Sequence, residues 1–378
     1  MRRIPLSGPD LGPREIELVN QVLGTRYLSI GPMVERFEAL GAAFCGRKHA
    51  VAVSSGTAGL HLCMRAMNLQ PGERVVTSAF SFVASANCVL FERGLPVFVD
   101  VDPATLNMDV ARTREKLVEL QRAGTPARGL LAVQIFGQTC DMAPLMALAD
   151  EFGLEVIEDA CEAIGAEYKG RQAGTFGRAA TFAFYPNKQM TTGEGGLLVT
   201  DDDEWDELFR SLRNQGRDRA GAWLNHVNLG YNYRLDELSA ALGVAQMERL
   251  PELLAKRDQV ARWYTGRLEA VEGVAPPRPV AYTTRMSWFL YVVRLHERYD
   301  RAQVMAALEE QGVPARPYFR PIHLQPYYVQ TFGYAPGLLP VTERIAQTTL
   351  ALPFCGTMPE ADVDYVCEAL RGVLKRLG

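Results

Sequence analysis

The run Glu155–Thr200 reads EVIEDACEAIGAEYKGRQAGTFGRAATFAFYPNKQMTTGEGGLLVT. Three short pieces of it, Glu155–Glu158, Thr181–Phe184 and Leu197–Thr200, are rich in β-formers and mostly apolar, as strands buried on both faces should be. Upstream, Ala50–Ser54, Arg74–Thr77, Pro96–Val101 and Leu130–Ile135 have the same texture. Helical patterns lie between them at Ala58–Asn68, Val83–Arg93, Val110–Arg122 and Ala143–Phe152. This alternation predicts an α/β fold with a mostly parallel central sheet wrapped by helices.

Beyond Asp203 the texture becomes helical, with helices predicted over Leu235–Arg249 and from Pro251 to Val271. The Pro-rich stretch Gly273–Pro279 ends helix and suggests a domain crossing. An apolar strand around Trp288–Leu295 and helices near Arg301–Gln311 and Glu360–Leu377 complete a smaller α+β unit. The expected division is therefore 1–250 for a large domain and 251–378 for a small C-terminal one.

The chain has 378 residues, too many for one ordinary core. Hydrophobic residues make up 48% and charged ones 22%, which fits a soluble globular protein. A net charge of −4 suggests neither a nucleic-acid partner nor a membrane surface. The seven scattered cysteines form no C-x-x-C pair or metal spacing, so no metal is expected, and a cytoplasmic protein with reduced thiols is. The basic start is interrupted by Ser7, Gly8, Pro9 and Asp10, so neither a signal peptide nor a membrane span is expected.

Three features could carry chemistry. Ser54-Ser-Gly56-Thr57-Ala58 follows a strand and opens a helix, where small residues and free amides suit a bound anion; an ordinary helix cap is the alternative. Asp159 ends a buried strand, where open α/β sheets bind ligands; taken alone, an Asp here more often caps a following helix. Lys188 sits between two apolar strands, followed by Gly193, Gly195 and Gly196. Most lysines are solvated, but an amine held near the sheet and partly desolvated becomes nucleophilic towards aldehydes. An anion cup, a carboxylate and an amine in this order are what pyridoxal 5′-phosphate (PLP) requires.

At these residues the chain resembles the DegT/DnrJ/EryC1/StrS family of sugar aminotransferases, which have the PLP fold type I architecture of aspartate aminotransferase. Matching stretches include Ser55–Ala58, Ser81–Asn87, Pro96–Asp102, Phe136–Gln138, Glu158–Ala160, Lys188–Gly196, Gly230–Glu237 and Pro321–Gln325. The resemblance implies that Lys188 bonds the cofactor aldehyde and carries a proton, while Asp159 pairs with the pyridinium nitrogen. It gives the phosphate to Gly56 and Thr57 and stacks Phe82 on the ring, against a core reading for that Phe. Asn232 would come from the neighbouring subunit of a homodimer with a shared active site, though it also suits a turn. Two departures stand out. Ala183 replaces a phosphate-binding serine, leaving Thr181 as the candidate to compensate, and Glu162 stands where many members carry Gln near the cofactor's ring oxygen.

The same resemblance implies transfer of an amino group from an amino acid, L-glutamate, to a nucleotide-linked keto-sugar. Gly230-Tyr-Asn-Tyr-Arg234 with Asn187–Gly196 looks most like members that aminate C4 of 4-keto-6-deoxy hexoses, perosamine-type enzymes among them. Related dehydratases carry His in place of the lysine, so Lys188 favours transamination. Candidate contacts to the sugar nucleotide are Arg213, Arg217 and Arg219, then Arg234, Arg316, Tyr318 and Arg320. His323 is a further candidate. The alternatives are solvated surface for each arginine and a backbone-bonded loop residue for His323. Another PLP activity, such as a lyase or dehydratase, or a non-catalytic regulatory protein on the same fold are the rival readings.

Overall fold

A computed structural model describes residues 2–218 and 224–378; Arg219 lies outside the described residues. The strands are β1 (His49–Val53), β2 (Arg74–Ser78), β3 (Leu95–Val99), β4 (Ala127–Val133), β5 (Glu155–Asp159), β6 (Glu167–Tyr168), β7 (Arg171–Gln172), β8 (Ala179–Ala183), β9 (Gly196–Thr200), β10 (Val274–Ala275), β11 (Thr283–Arg285), β12 (Tyr291–Leu295) and β13 (Thr349–Leu352). The helices are α1 (Pro13–Leu23), α2 (Pro32–Cys45), α3 (Gly56–Ala66), α4 (Ala84–Phe91), α5 (Val110–Arg122), α6 (Met142–Phe152), α7 (Asp203–Arg213), α8 (Glu237–Glu248), α9 (Leu250–Leu268), α10 (Arg301–Glu309), α11 (Pro326–Phe332), α12 (Pro340–Thr348) and α13 (Glu360–Leu377).

Seven strands form the main sheet in the order β1-β9-β8-β5-β4-β2-β3. Strand β9 runs antiparallel to both neighbours and the other pairings are parallel. The expected fold class holds. Successive residues of β9 feed opposite cores, because strand side chains alternate. Leu197 and Val199 join Phe37 and Phe182 under α2 and α8, whereas Leu198 joins Leu60, Trp205 and Phe209 under α3 and α7. Burial on both faces explains why these strands are apolar almost throughout.

A second core is built on the three-stranded sheet β10-β12-β13 with α9, α10 and α13. The chain passes between the two cores inside α9 rather than at its start: Leu250, Leu253 and Leu254 pack in the large core, and Val260, Ala261 and Tyr264 in the small one. Ile4, from the other end of the chain, also packs in the small core. The strand expected from Trp288 begins only at Tyr291. Residues just before it turn back to the large domain: Ser287 N donates to Gly137 O at 2.9 Å and Phe289 N to Phe136 O at 3.1 Å. No helix among the described residues is long and apolar enough to cross a membrane.

Candidate active site

The carboxyl ends of β1, β5 and β8, with the loop after β2, open onto one cavity of about 480 Å³. Gly56 and Thr57 begin α3 at its wall, where Ser55 caps the helix by accepting from Ala58 N at 3.1 Å. The first amides of a helix have no intrahelical acceptor and carry its positive end, so they face an anion ready-made. The backbone is crowded here. A Cβ on Gly56 would stand 2.7 Å from Ala183 Cβ and 2.8 Å from Cys161 Sγ, and one on Gly196 2.6 Å from Ser55 O.

Asp159 ends β5 with only 5% of its surface exposed. Its Oδ2 accepts from Ser85 Oγ at 2.6 Å and its Oδ1 from Cys161 N at 3.2 Å. Ser85 in turn shares a 2.7 Å hydrogen bond with Ser81 Oγ. No helix follows Asp159 before α7, so the helix-cap alternative falls. The neighbouring Glu158 points to the other face, as alternation requires, and is consumed by structure. It accepts from the amides of Gly174, Phe176 and Gly177 and from Gln134 Nε2.

Lys188 is not a solvated surface lysine. Its side chain is 12% exposed, with Nζ 3.6 Å from Glu162 Oε1 and 3.8 Å from the centre of the Phe289 ring. Glu162 is anchored through Oε2, which accepts from Phe136 N at 2.9 Å. Burial pushes its carboxyl above the usual glutamate range, against the opposing pull of Lys188. Phe82, 60% exposed, lines the cavity instead of the core. Tyr318 lines it too, and burial pushes its hydroxyl up.

Other expected contacts lie elsewhere. Thr181 does not line the cavity: it is fully buried beneath α3, with Oγ1 3.7 Å from Cys63 Sγ, so it does not stand in for a serine at Ala183. Arg213 is turned inward, bonded to Glu38 and to Ala52 O at 2.6 Å, because Glu38 is a buried acid that needs cations. His323 is fully buried, with Nε2 3.0 Å from Glu343 Oε1, and does not line the cavity. Arg234 donates to Asn214 Oδ1 at 3.0 Å. Arg217 reaches Gln215 and Arg320 reaches Leu324 O. Arg316 is exposed in a separate cleft with Arg298, Arg301 and Arg344. Asn232 is exposed and does not line the cavity of its own chain; Asp236, not Asn232, caps α8.

Sequence reasoning assigned no role to Ser85 or Phe289. Ser81 and Ser85 are four residues apart, a spacing that could have suggested one face. Phe289 lies just before β12, far along the chain from Lys188, and has no local signal. Asn187 also lines the cavity, and its Oδ1 is buried without a partner. An unpaired polar atom, a free helix terminus, an oriented carboxylate and an amine around one cavity suit a phosphorylated, nitrogen-bearing aldehyde such as PLP.

This sheet order, with an amine and a buried carboxylate at the strand ends, defines a fold type I aminotransferase. The chain matches the model of the DegT/DnrJ/EryC1/StrS aminotransferase family over residues 9–371 and belongs to that family. It is 39% identical over 377 residues to a GDP-perosamine synthase of Caulobacter vibrioides, covering 98% of each chain. It is 35% identical over 371 residues to a "Putative pyridoxal phosphate-dependent aminotransferase", EpsN, of Bacillus subtilis, covering 98% of this chain and 95% of the other. Among solved structures, S. venezuelae DesV "in complex with ketimine intermediate" superposes with a TM-score of 0.90 at 31% identity, covering 98% of both chains.

Proposed function

We propose that this aminotransferase binds PLP and moves the amino group of L-glutamate to C4 of a nucleotide-linked 4-keto-6-deoxy hexose. The observation that carries the reading is Lys188 Nζ, sequestered between Phe289 and Glu162 in the same cavity as the oriented Asp159. The names of the relatives support a sugar as acceptor, and GDP-perosamine synthase among them supports amination at C4.

When bound, PLP supplies an aldehyde that takes up the amino group and a ring that delocalises the electrons released at Cα. Gly56 and Thr57 would hold its phosphate, Asp159 its ring nitrogen and Phe82 an apolar face. Ser85, donating to Asp159, fixes which carboxylate oxygen faces the cavity. Lys188 would take the proton from Cα of the donor and pass it to the cofactor carbon that had been the aldehyde, so that the donor leaves as its keto acid; the same transfers in reverse would serve the sugar. Such positioned proton transfer contributes about 10²–10⁴-fold in rate. Phe289 lies against the amine and, with Phe319, supplies apolar wall to the cavity.

The proposal includes a cytoplasmic homodimer in which Asn232 completes the partner's site. Tyr27, Leu28 and Ile30 are more than half exposed. Their segment is bonded to Asp236 and Glu237, close to Asn232, which supports a covered surface there. The test is spectroscopic and chemical. Glutamate should bleach the long-wavelength absorption of the PLP-loaded protein, and a 4-keto-6-deoxy nucleotide sugar should restore it with formation of a 4-amino product. Bleaching without an aminated product from any member of a keto-sugar panel would refute the sugar reading. A mixed dimer of Lys188→Ala and Asn232→Ala chains should recover activity if the site is shared.

A further inference from the structure

Arg257, on α9, is buried to 3% exposure, and among the described residues no carboxylate pairs with it. Every acceptor of its guanidinium is a backbone carbonyl. Nη1 donates to Trp288 O and Phe289 O, both at 3.1 Å, and Nη2 to Asn187 O at 3.2 Å and to Lys188 O. Burial pulls the group down to about 10, with Cys355 and Asp10 opposing, so it stays charged at neutral pH.

A buried cation without a counter-ion is costly, and apolar packing at this place would avoid the cost. Carbonyl oxygens offset it only because the planar fork presents donors along two edges at once. The two edges here meet different parts of the molecule. One holds the lysine loop of the large domain, and the other the segment that brings Phe289 in from the small one. Those two residues meet again at their side chains, where Lys188 Nζ lies 3.8 Å from the Phe289 ring centre. Arg257 itself sits on the turn of α9 between the last large-core contact, Leu254, and the first small-core one, Val260.

We propose that Arg257 is a positioning residue for Lys188, clamping the lysine's own carbonyl and that of Phe289 so that amine and ring are held in one geometry. The inference rests on Lys188 being the reacting amine. Lysine at 257 keeps the charge but, as a point donor, cannot span both carbonyl pairs.

The experiment mixes cofactor-free protein with PLP, traps adducts with borohydride at intervals and follows the Lys188 peptide by mass spectrometry. Arg257→Lys should slow capture at Lys188 by about 10- to 100-fold, the scale of a misplacement of about 1 Å, while remaining folded by circular dichroism. Phe289→Leu, made in both backgrounds, should cost the Arg257→Lys protein less than it costs the wild type, because the clamp acts through that ring. Arg257→Gln, with one donor pair, replaces the lysine variant if that fails to fold. Capture at the wild-type rate in a folded variant overturns the proposal. So does a loss from Phe289→Leu that multiplies independently, since Arg257 would then only brace the fold. Label trapped in wild-type protein at a lysine other than Lys188 would instead overturn the reading of Lys188 itself.

Discussion

Replacing Arg213 by Met separates a structural from a substrate-binding arginine. Arg213 donates to Glu38 and to Ala52 O, and Glu38 is buried to 6% exposure. Glu38 keeps Arg210 at 2.6 Å and the amide of Ala52 at 2.9 Å after the change, so it is not left wholly unpaired. Removing the sole partner of a buried ion costs about 3–5 kcal/mol; with Arg210 remaining, about 2–3 kcal/mol is expected. A chain of 378 residues unfolds with an entropy of roughly 0.8 kcal/mol/K, at about 2.1 cal/mol/K per residue, so the melting temperature should fall by about 3–4 °C. The assay pairs a thermal scan with steady-state kinetics on the sugar nucleotide. The expected result is a lowered Tm with KM for the sugar unchanged. A tenfold or larger rise in KM with an unaltered Tm would refute the inward placement, since the guanidinium would then be reaching substrate.

Three further outcomes follow from the site. Ser85→Ala removes a hydrogen bond to a charged carboxylate, a contact of about 1.5–3 kcal/mol, so PLP affinity measured by equilibrium dialysis should fall roughly 10- to 150-fold; Ser85→Thr should restore it, and equal binding by the alanine variant would sink the role. His323→Phe should lower stability by about 1–3 kcal/mol, because Glu343 loses a partner, and leave the sugar's KM alone; a KM effect without a Tm effect would contradict its burial. Burial holds the Glu162 carboxyl high, so the folded protein binds that proton more tightly than the unfolded chain, and this stabilisation, full below the usual value of 4.5, is lost as pH rises towards the folded value. Glu162→Gln, which cannot ionise, should therefore gain in Tm on the wild type as pH rises from about 4.5 towards neutrality; a constant difference across that range would show that the carboxyl is not held high.

What could be read from the sequence divides by how far each side chain's partners lie along the chain. The strands were legible because burial on both faces writes itself into every residue of a β-run. The places of Asp159 and Gly56 followed, since strand ends and helix starts are local events. Lys188 was legible as an amine near the sheet for the same reason. The arginines and His323 were not, because a long or buried polar side chain is defined by its acceptor. Glu38 is 175 positions from Arg213, and Glu343 lies on a separate helix after His323. Neither acid stands out locally. The start of β12 was misplaced for a related reason: Trp288 and Phe289 are apolar like strand residues, but they serve the junction with Phe136 and Gly137.

That junction also explains why the chemistry needs two cores. The large domain alone provides the helix terminus, the carboxylate and the lysine. Yet the ring against the lysine, Phe289, and the wall residues Tyr318 and Phe319 arrive on the C-terminal part of the chain. The burial of the amine thus depends on contacts made across the two cores, and Lys188, Glu162 and Phe136 form a continuous path of contacts from the amine to the segment just before β12. A change that loosens the docking would leave anion and ring-nitrogen binding intact while exposing the amine to water. Cofactor affinity and the rate of proton transfer should thus be separable by mutation, with the first following the large domain and the second the contact between the two.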